Sequence, residues 1–486
     1  MNPLKKLFKQ TFIYGLATVL PRMLSFLLLP LYTEVLETAG FGEVSIIFSW
    51  FAIFNVILSY GMETAFFRFY TKAIDRKTVV TTSLISIGVT TLVFLVLAFL
   101  FKDAVAGFTN IDEKYISYTI WILALDALVI VPFAWLRANE KPMRYALVKI
   151  FNVAINFGLN VFFLILLPQM VADNADSSFN ALYRTDFEIS YIFISNLIAS
   201  GITFLLMLRL YIRRPYVFDK ELWLQMMHYA LPVLVAGIAF SINEVFDKIL
   251  LSYLLPEDIA ESEIGKYSAC YRLSVFMTLF ATAFRMGIEP FFFSHSTSEK
   301  PQRAYAQITN YFVILGSIIL LGVVVFADVL KLILVRDESY WEAMSIVPIV
   351  VLASFCLGIY HNLSVWYKVT DRTKFGAYIS LIGAVLTIII NFAFIPYFGY
   401  VASAVATLVA YASMVILSFF FGRMYYPIPY NHRKIVFYLV VSILFSMLSF
   451  YVFNRNLIIG SIFFILFLGM VYRLESDKLK QIFLRK

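Results

Sequence analysis

The chain has 486 residues, 61% of them hydrophobic and only 14% charged, with 50 Phe, 30 Tyr and a mean hydropathy of +0.83. Globular domains are about half apolar and a quarter charged, so composition argues against a soluble enzyme or binding module and places most of this chain in lipid. The net charge of +8 comes from short basic loops between apolar runs, which reads as membrane topology and not nucleic-acid binding, and the two isolated cysteines, Cys270 and Cys356, suggest neither a disulfide framework nor a thiolate metal site.

A helix needs about 20 apolar residues to cross hydrocarbon. The first such run, Thr11 to about Thr33, is longer than a signal-peptide core and lacks a small-residue cleavage site, so it is expected to be retained as a span. Runs near 43–66, 79–101, 115–136, 145–168 and 188–211 bring the count to six. After the polar stretch Arg213 to His228 come six more, near 230–255, 265–293, 306–329, 342–367, 375–396 and 400–421. A shorter pair, 435–453 and 457–472, flanks Asn454-Arg455-Asn456. The expected fold is an all-α polytopic membrane protein of about fourteen transmembrane helices. It divides into an N-terminal lobe (1–212), a linker (213–229), a C-terminal lobe (230–422), an accessory helix pair (435–472) and a tail (473–486).

Lys and Arg accumulate in cytoplasmic loops, and here they alternate from loop to loop. The inner set holds 28 of the 39 basic residues, among them Arg137, Lys141, Arg144 and Lys149. The outer set holds seven, and Pro256 to Glu263 is acidic. No inversion occurs along the chain, which places both termini in the cytoplasm. The six-and-six division suggests a repeat, supported by a matched step after the first span of each half: Phe41-Gly42-Glu43-Val44-Ser45 and Ile264-Gly265-Lys266-Tyr267-Ser268.

Thr370-Asp371-Arg372-Thr373-Lys374, an apolar run, Asn391-Phe392-Ala393-Phe394-Ile395-Pro396-Tyr397-Phe398-Gly399 and the small-residue run Val401 to Thr407 together resemble the bacterial polysaccharide flippases. Those are the O-antigen and capsule repeat-unit exporters of the multidrug, oligosaccharidyl-lipid and polysaccharide exporter superfamily. Gly15, Pro21-Arg22, Pro30 and the loop Asn139-Glu140-Lys141-Pro142 carry the same likeness; Ser403, where many relatives have Gly or Ala, departs from it. The resemblance implies two six-helix lobes around a central cavity plus two extra helices, in the bacterial inner membrane. It implies a transporter, not an enzyme, that carries a polyprenyl-diphosphate-linked oligosaccharide outward by alternating access. Its partners would be membrane lipids and polysaccharide assembly proteins; separately, Asp126 and Asp247, one acid per lobe, suggest Na⁺ or H⁺ as a coupling ion, and no other cofactor is expected. Rival readings are a multidrug exporter of the same fold and a flippase for the lipid-linked peptidoglycan precursor. A membrane polymerase or ligase is disfavoured because the longest outer loop, about Gln169 to Phe187, offers no catalytic arrangement.

Ionisable groups within a bilayer cost several kcal/mol and mark function by default; here they are Arg22, Asp126, Glu244, Asp247, Lys248, Arg272, Arg285 and Glu289. Helical i, i+4 spacing pairs Glu244 with Lys248 and Arg285 with Glu289. Asp247 and Arg272 remain at matching depth on consecutive spans, as an ion pair, a switch or a substrate contact. Arg22, beside the helix-kinking Pro21, has only Thr18, Val19, Ser25 and Phe26 at i±3 and i±4, none of them charged, and is expected to face Asp126 or an anion. The resemblance favours the anion, because relatives that flip the cell-wall precursor carry cavity arginines on spans 1, 2 and 8; span 2 here has none, with Arg68 only at its inner end. A guanidinium fork matches phosphate oxygens bidentately. The expected substrate-binding set is Arg22, Arg272, Arg285, Asn156 and Tyr60, and the cation-coupling or gating set is Asp126, Asp247, Glu244, Asn243 and Asn391. Tyr14, Asn55, Tyr60, Asn152, Asn156 and Asn243 serve equally well as sugar contacts or helix-packing groups.

Overall fold

The computed structural model describes residues 15–17, 19–173, 178–212, 216–294 and 301–484. The start of the first apolar run, Tyr14 and the basic residues Lys5, Lys6, Lys9, Arg213, Arg214, Lys300, Arg485 and Lys486 lie outside them. Lipid cannot hydrogen-bond backbone groups, so each span must satisfy its own, and every apolar run is helical where it is described. Those of the first half are α1 (Gly15–Val35), α2 (Thr38–Lys72), α3 (Arg76–Leu100), α4 (Glu113–Ala138), α5 (Pro142–Asp173) and α6 (Glu188–Ile212). They are followed by α7 (Lys220–Leu254) and by α8, which is Glu257–Tyr271 and Val275–Ser294 joined by a 3₁₀ turn at Arg272–Ser274. The remainder are α9 (Pro301–Val325), α10 (Glu338–Val369), α11 (Lys374–Phe398), α12 (Tyr400–Tyr425), α13 (His432–Val452) and α14 (Leu457–Ser476). Thirteen of these are long and apolar enough to cross a membrane among the described residues, and α8 makes up the fourteen expected.

The helices outrun their apolar cores because polar flanks continue the hydrogen-bond ladder into the interface. Side-chain caps set where several begin: Asp75 accepts from the Lys77 and Thr78 amides, Asp219 from Leu222 and Asn431 from Lys434. The Thr78 hydroxyl and the Lys77 amide hold the Asp75 carboxyl below its usual range. The stretch expected as a linker, 213–229, is helical from Lys220, so α7 starts about a turn and a half to three turns before the hydrocarbon does.

By contacts the chain forms two units, residues 1–268 with 391–399 and residues 269–390 with 400–486. In the first, α7 packs along α2. Met226 and Ala230 of α7 enter a core built from Met62, Phe66 and Tyr70 of α2 and Val80 and Leu84 of α3. A left-handed turn at Tyr60 (φ 33°) and Gly61 (φ 73°) breaks α2 at this level. A Cβ on Gly61 would sit 2.4 Å from the Ala230 carbonyl oxygen, so the turn both needs glycine and admits α7.

Within the same unit the two matched sequence steps meet each other. A Cβ on Gly42 would fall 1.8 Å from the Glu261 carbonyl oxygen, and one on Gly265 1.8 Å from that of Thr38. Glycine thus touches the residue four before its counterpart in both directions, the reciprocity of a local two-fold axis. The hydroxyls of Thr38 and Ser262, 2.8 Å apart, close the crossing of α2 with α8.

In the second unit α10 packs along α12, and α9 along α13. Gly316 and Gly358 leave room for the Phe355 and Phe312 rings, and Gly422 for Trp366. Where α13 meets α14, the buried Glu475 carboxylate accepts from the Tyr438 hydroxyl at 2.9 Å and pairs with Lys434. Its other oxygen has no hydrogen-bond partner among the described residues. Removing the ammonium from a mostly buried carboxylate is costly, so Lys434→Met should destabilise the helix pair by about 2 kcal/mol. The double variant Lys434→Met/Glu475→Leu should recover most of it in thermal unfolding of the purified protein.

Candidate functional site

The first unit encloses a polar cavity of about 410 Å³ among α2, α4, α5 and α6. Asn55, Ser59 and Glu63 of α2, Asp126 of α4, Lys149 and Asn152 of α5, and Asn196, Ser200 and Thr203 of α6 line it. Ser200 donates to Asp126 at 2.8 Å and the Asn152 amide to the Thr203 hydroxyl at 2.9 Å. At its edge Glu63 pairs with Arg137 at 2.8 Å.

Lys149 corrects the loop assignment. It lies two turns inside α5, half-buried over the Phe133 ring at 4.6 Å, where its charge acts on Asp126. The cavity therefore holds an acid with a tethered cation as well as a set of neutral hydrogen-bonding groups. A double-mutant cycle of Asp126→Asn and Lys149→Gln should give a stabilising coupling of about 1–2 kcal/mol in thermal denaturation.

Asp247 has a similar partner. Its carboxylate, nearly fully buried, accepts from the Tyr267 hydroxyl at 2.5 Å and lies 3.1 Å from the Lys248 ammonium. Helical spacing assigns Lys248 to Glu244; in the structure the ammonium reaches its immediate neighbour Asp247, which does not stand alone. Glu244 is exposed, Asn243 is buried and donates to the Ala239 carbonyl at 3.0 Å, and Asn391 is fully buried.

Of the expected substrate contacts, two are engaged in packing. The Tyr60 hydroxyl meets Ser86 at 2.7 Å, which also accepts from the Trp223 indole at 2.9 Å. Asn156 supplies both its oxygens to the Asn160 amide at 2.8 Å, and Asn160 in turn accepts from Tyr32 of α1 at 3.0 Å. Arg22 is exposed on α1. Arg272 opens the 3₁₀ turn that interrupts α8 and is half-buried. Further along α8, Arg285 lines a narrow cleft of about 10 Å³ with His361, Asn362, Ser364 and Lys368. His361 and Lys368 drew no attention in the sequence, one as an isolated histidine and the other as a loop lysine; their convergence on Arg285 is a product of the fold.

Residues 7–296 match the family described as polysaccharide biosynthesis protein, and residues 232–393 match the MatE family. No curated protein matches the chain in sequence. Among solved structures, the lipid II flippase MurJ in an inward closed conformation superposes with a TM-score of 0.75 at 15% identity, over 95% of this chain and 99% of that one. An inward-facing multidrug resistance MATE family transporter of the MOP superfamily gives 0.64 at 15% identity, over 85% and 94%. A MOP superfamily transporter from Pyrococcus furiosus, described as having a binding pocket of reverse polarity, gives 0.57 at 14% identity, over 87% and 96%. These identities speak to the fold, which is that of the MOP superfamily, and the sequence match covers more than half of the chain. The protein belongs to the polysaccharide biosynthesis protein family.

Proposed function

We propose that the protein is a flippase that carries a polyprenyl-diphosphate-linked oligosaccharide across the bacterial inner membrane by alternating access, with its basic loops in the cytoplasm. The observation that carries this reading is the basic character of α8: Arg272 at its interruption and Arg285 in a cleft with His361 and Lys368. A 3₁₀ turn within a span often marks a functional hinge, which suits a helix that moves during transport. A diphosphate leaving water needs its charge replaced, and the two guanidiniums, about 20 Å apart along α8, each offer a bidentate donor at a different level of the span. The cleft now has room for little more than one water, so anion binding there requires its side chains to part.

Coupling is assigned by the same reading to Asp126, whose cavity holds hydroxyl and amide oxygens suited to a small cation and a lysine that would answer a change in its charge. That cavity is also what favours the second reading, a cation-coupled multidrug exporter. Proteoliposomes carrying the purified protein and a fluorescent polyprenyl-diphosphate oligosaccharide test both. The flippase reading expects the sugar to become accessible to an outside lectin, faster under a Na⁺ or pH gradient. Gradient-driven dye efflux with no sugar translocation would replace it with the exporter.

A further inference from the structure

Among the same helices that border the polar cavity, a second, larger space of about 650 Å³ is formed by the ends of α4 and α6 and the start of α5. Its mouth carries Lys141, Arg144 and Arg209, and among the described residues no carboxylate lines it. Its wall is apolar, with Leu147 and Leu206 half exposed and Met207 buried. Lys141 is held over the Trp135 ring at 4.4 Å, while Arg144 and Arg209 are exposed.

The order of these groups along the helices is amphipathic. On α5 the cations come first and Leu147 and Val148 follow toward the middle of the span; on α6 Leu206 and Met207 precede Arg209 at its end. A bilayer lipid has the same order, charged headgroup at the interface and acyl chains inward. Basic pockets between helices at the membrane surface favour anionic headgroups, each nearby Lys or Arg contributing about 1 kcal/mol, and an aromatic ring at this level belongs to the interfacial belt. Arginine adds bidentate geometry for a phosphate.

We infer that this groove is a binding site for an anionic glycerophospholipid of the surrounding leaflet, its phosphate held by Arg144, Arg209 and Lys141 and its acyl chains against Leu147 and Leu206. The inference does not rest on the flippase reading. Because Val148 lines the groove and the adjacent Lys149 lines the polar cavity, a bound lipid would buttress the wall of that cavity.

The test uses full-length protein in detergent titrated with brominated phosphatidylglycerol or brominated phosphatidylcholine, with quenching of Trp135 isolated by comparison with Trp135→Phe. The expected result is quenching at about tenfold lower phosphatidylglycerol than phosphatidylcholine, a preference lost in Arg144→Gln/Arg209→Gln with unchanged helical circular dichroism. Should the double variant not fold, the single variants decide, each expected to lower the preference about threefold. Equal quenching by the two lipids, or a preference that survives both arginine changes, overturns the site. Displacement of the brominated phosphatidylglycerol by polyprenyl phosphate at about tenfold lower concentration also overturns it, assigning the groove to the transported lipid.

Discussion

Alanine at Gly42 or Gly265 is expected to lower the stability of the purified protein by about 2–3 kcal/mol, the upper range for overpacking a close contact. Each new Cβ would lie 1.8 Å from a carbonyl oxygen of the opposing helix, and backbone on both sides leaves no flexible side chain to yield. The helices must then separate, which also breaks the Thr38–Ser262 contact of 2.8 Å. Both substitutions relieve their clash by the same movement, so the double variant should cost clearly less than the sum. Thermal unfolding in detergent measures this; unchanged melting in either single variant would mean that α2 and α8 do not cross as described. A cysteine pair at Thr38 and Ser262 should cross-link under mild oxidation. Under the alternating-access reading the cross-link should also halt transport until a reductant is added, because a crossing this close has to open for the opposite face to be reached.

The second large effect concerns α8. Arg272→Ala and Arg285→Ala should each reduce translocation of the lipid-linked sugar by about 100-fold, the loss of a charge-assisted bidentate contact worth about 3 kcal/mol. Lysine at either position keeps the charge without the planar fork and should cost about tenfold. Normal surface export by all four variants, at wild-type abundance in the membrane, would remove the anion-binding role from both residues. Retention of function by the lysines together with loss in the alanines would show that charge matters and fork geometry does not.

The helices were legible because lipid imposes one rule on every span, and run length together with alternating loop charge reports it. Boundaries were less so: composition marks where hydrocarbon ends, whereas caps such as Asp219 and Asn431 set where the helix does. Asp126 stood out in the sequence because a carboxylate within an apolar run is conspicuous. Lys149 did not, since a lysine near the edge of a run counts as a loop residue until the neighbouring helices are placed around it. The same ambiguity hid Lys368 beside Arg285 and Lys434 beside Glu475. Tyr60 and Asn156 read equally well as sugar contacts or packing groups, and the structure shows both engaged in hydrogen bonds between or along helices.

By itself the sequence determined the membrane class, the number of spans and the presence of buried charge, because each follows from transfer free energies that are summed locally along the chain. It also contained the matched glycine steps, without revealing that they touch. Only the tertiary structure decided which charges face each other: Asp247 with Lys248 and Tyr267, Lys149 in the cavity of Asp126, and Arg285 with His361 and Lys368. Electrostatic pairing depends on distance in space across several helices, and helical periodicity reports only the neighbours on a residue's own helix.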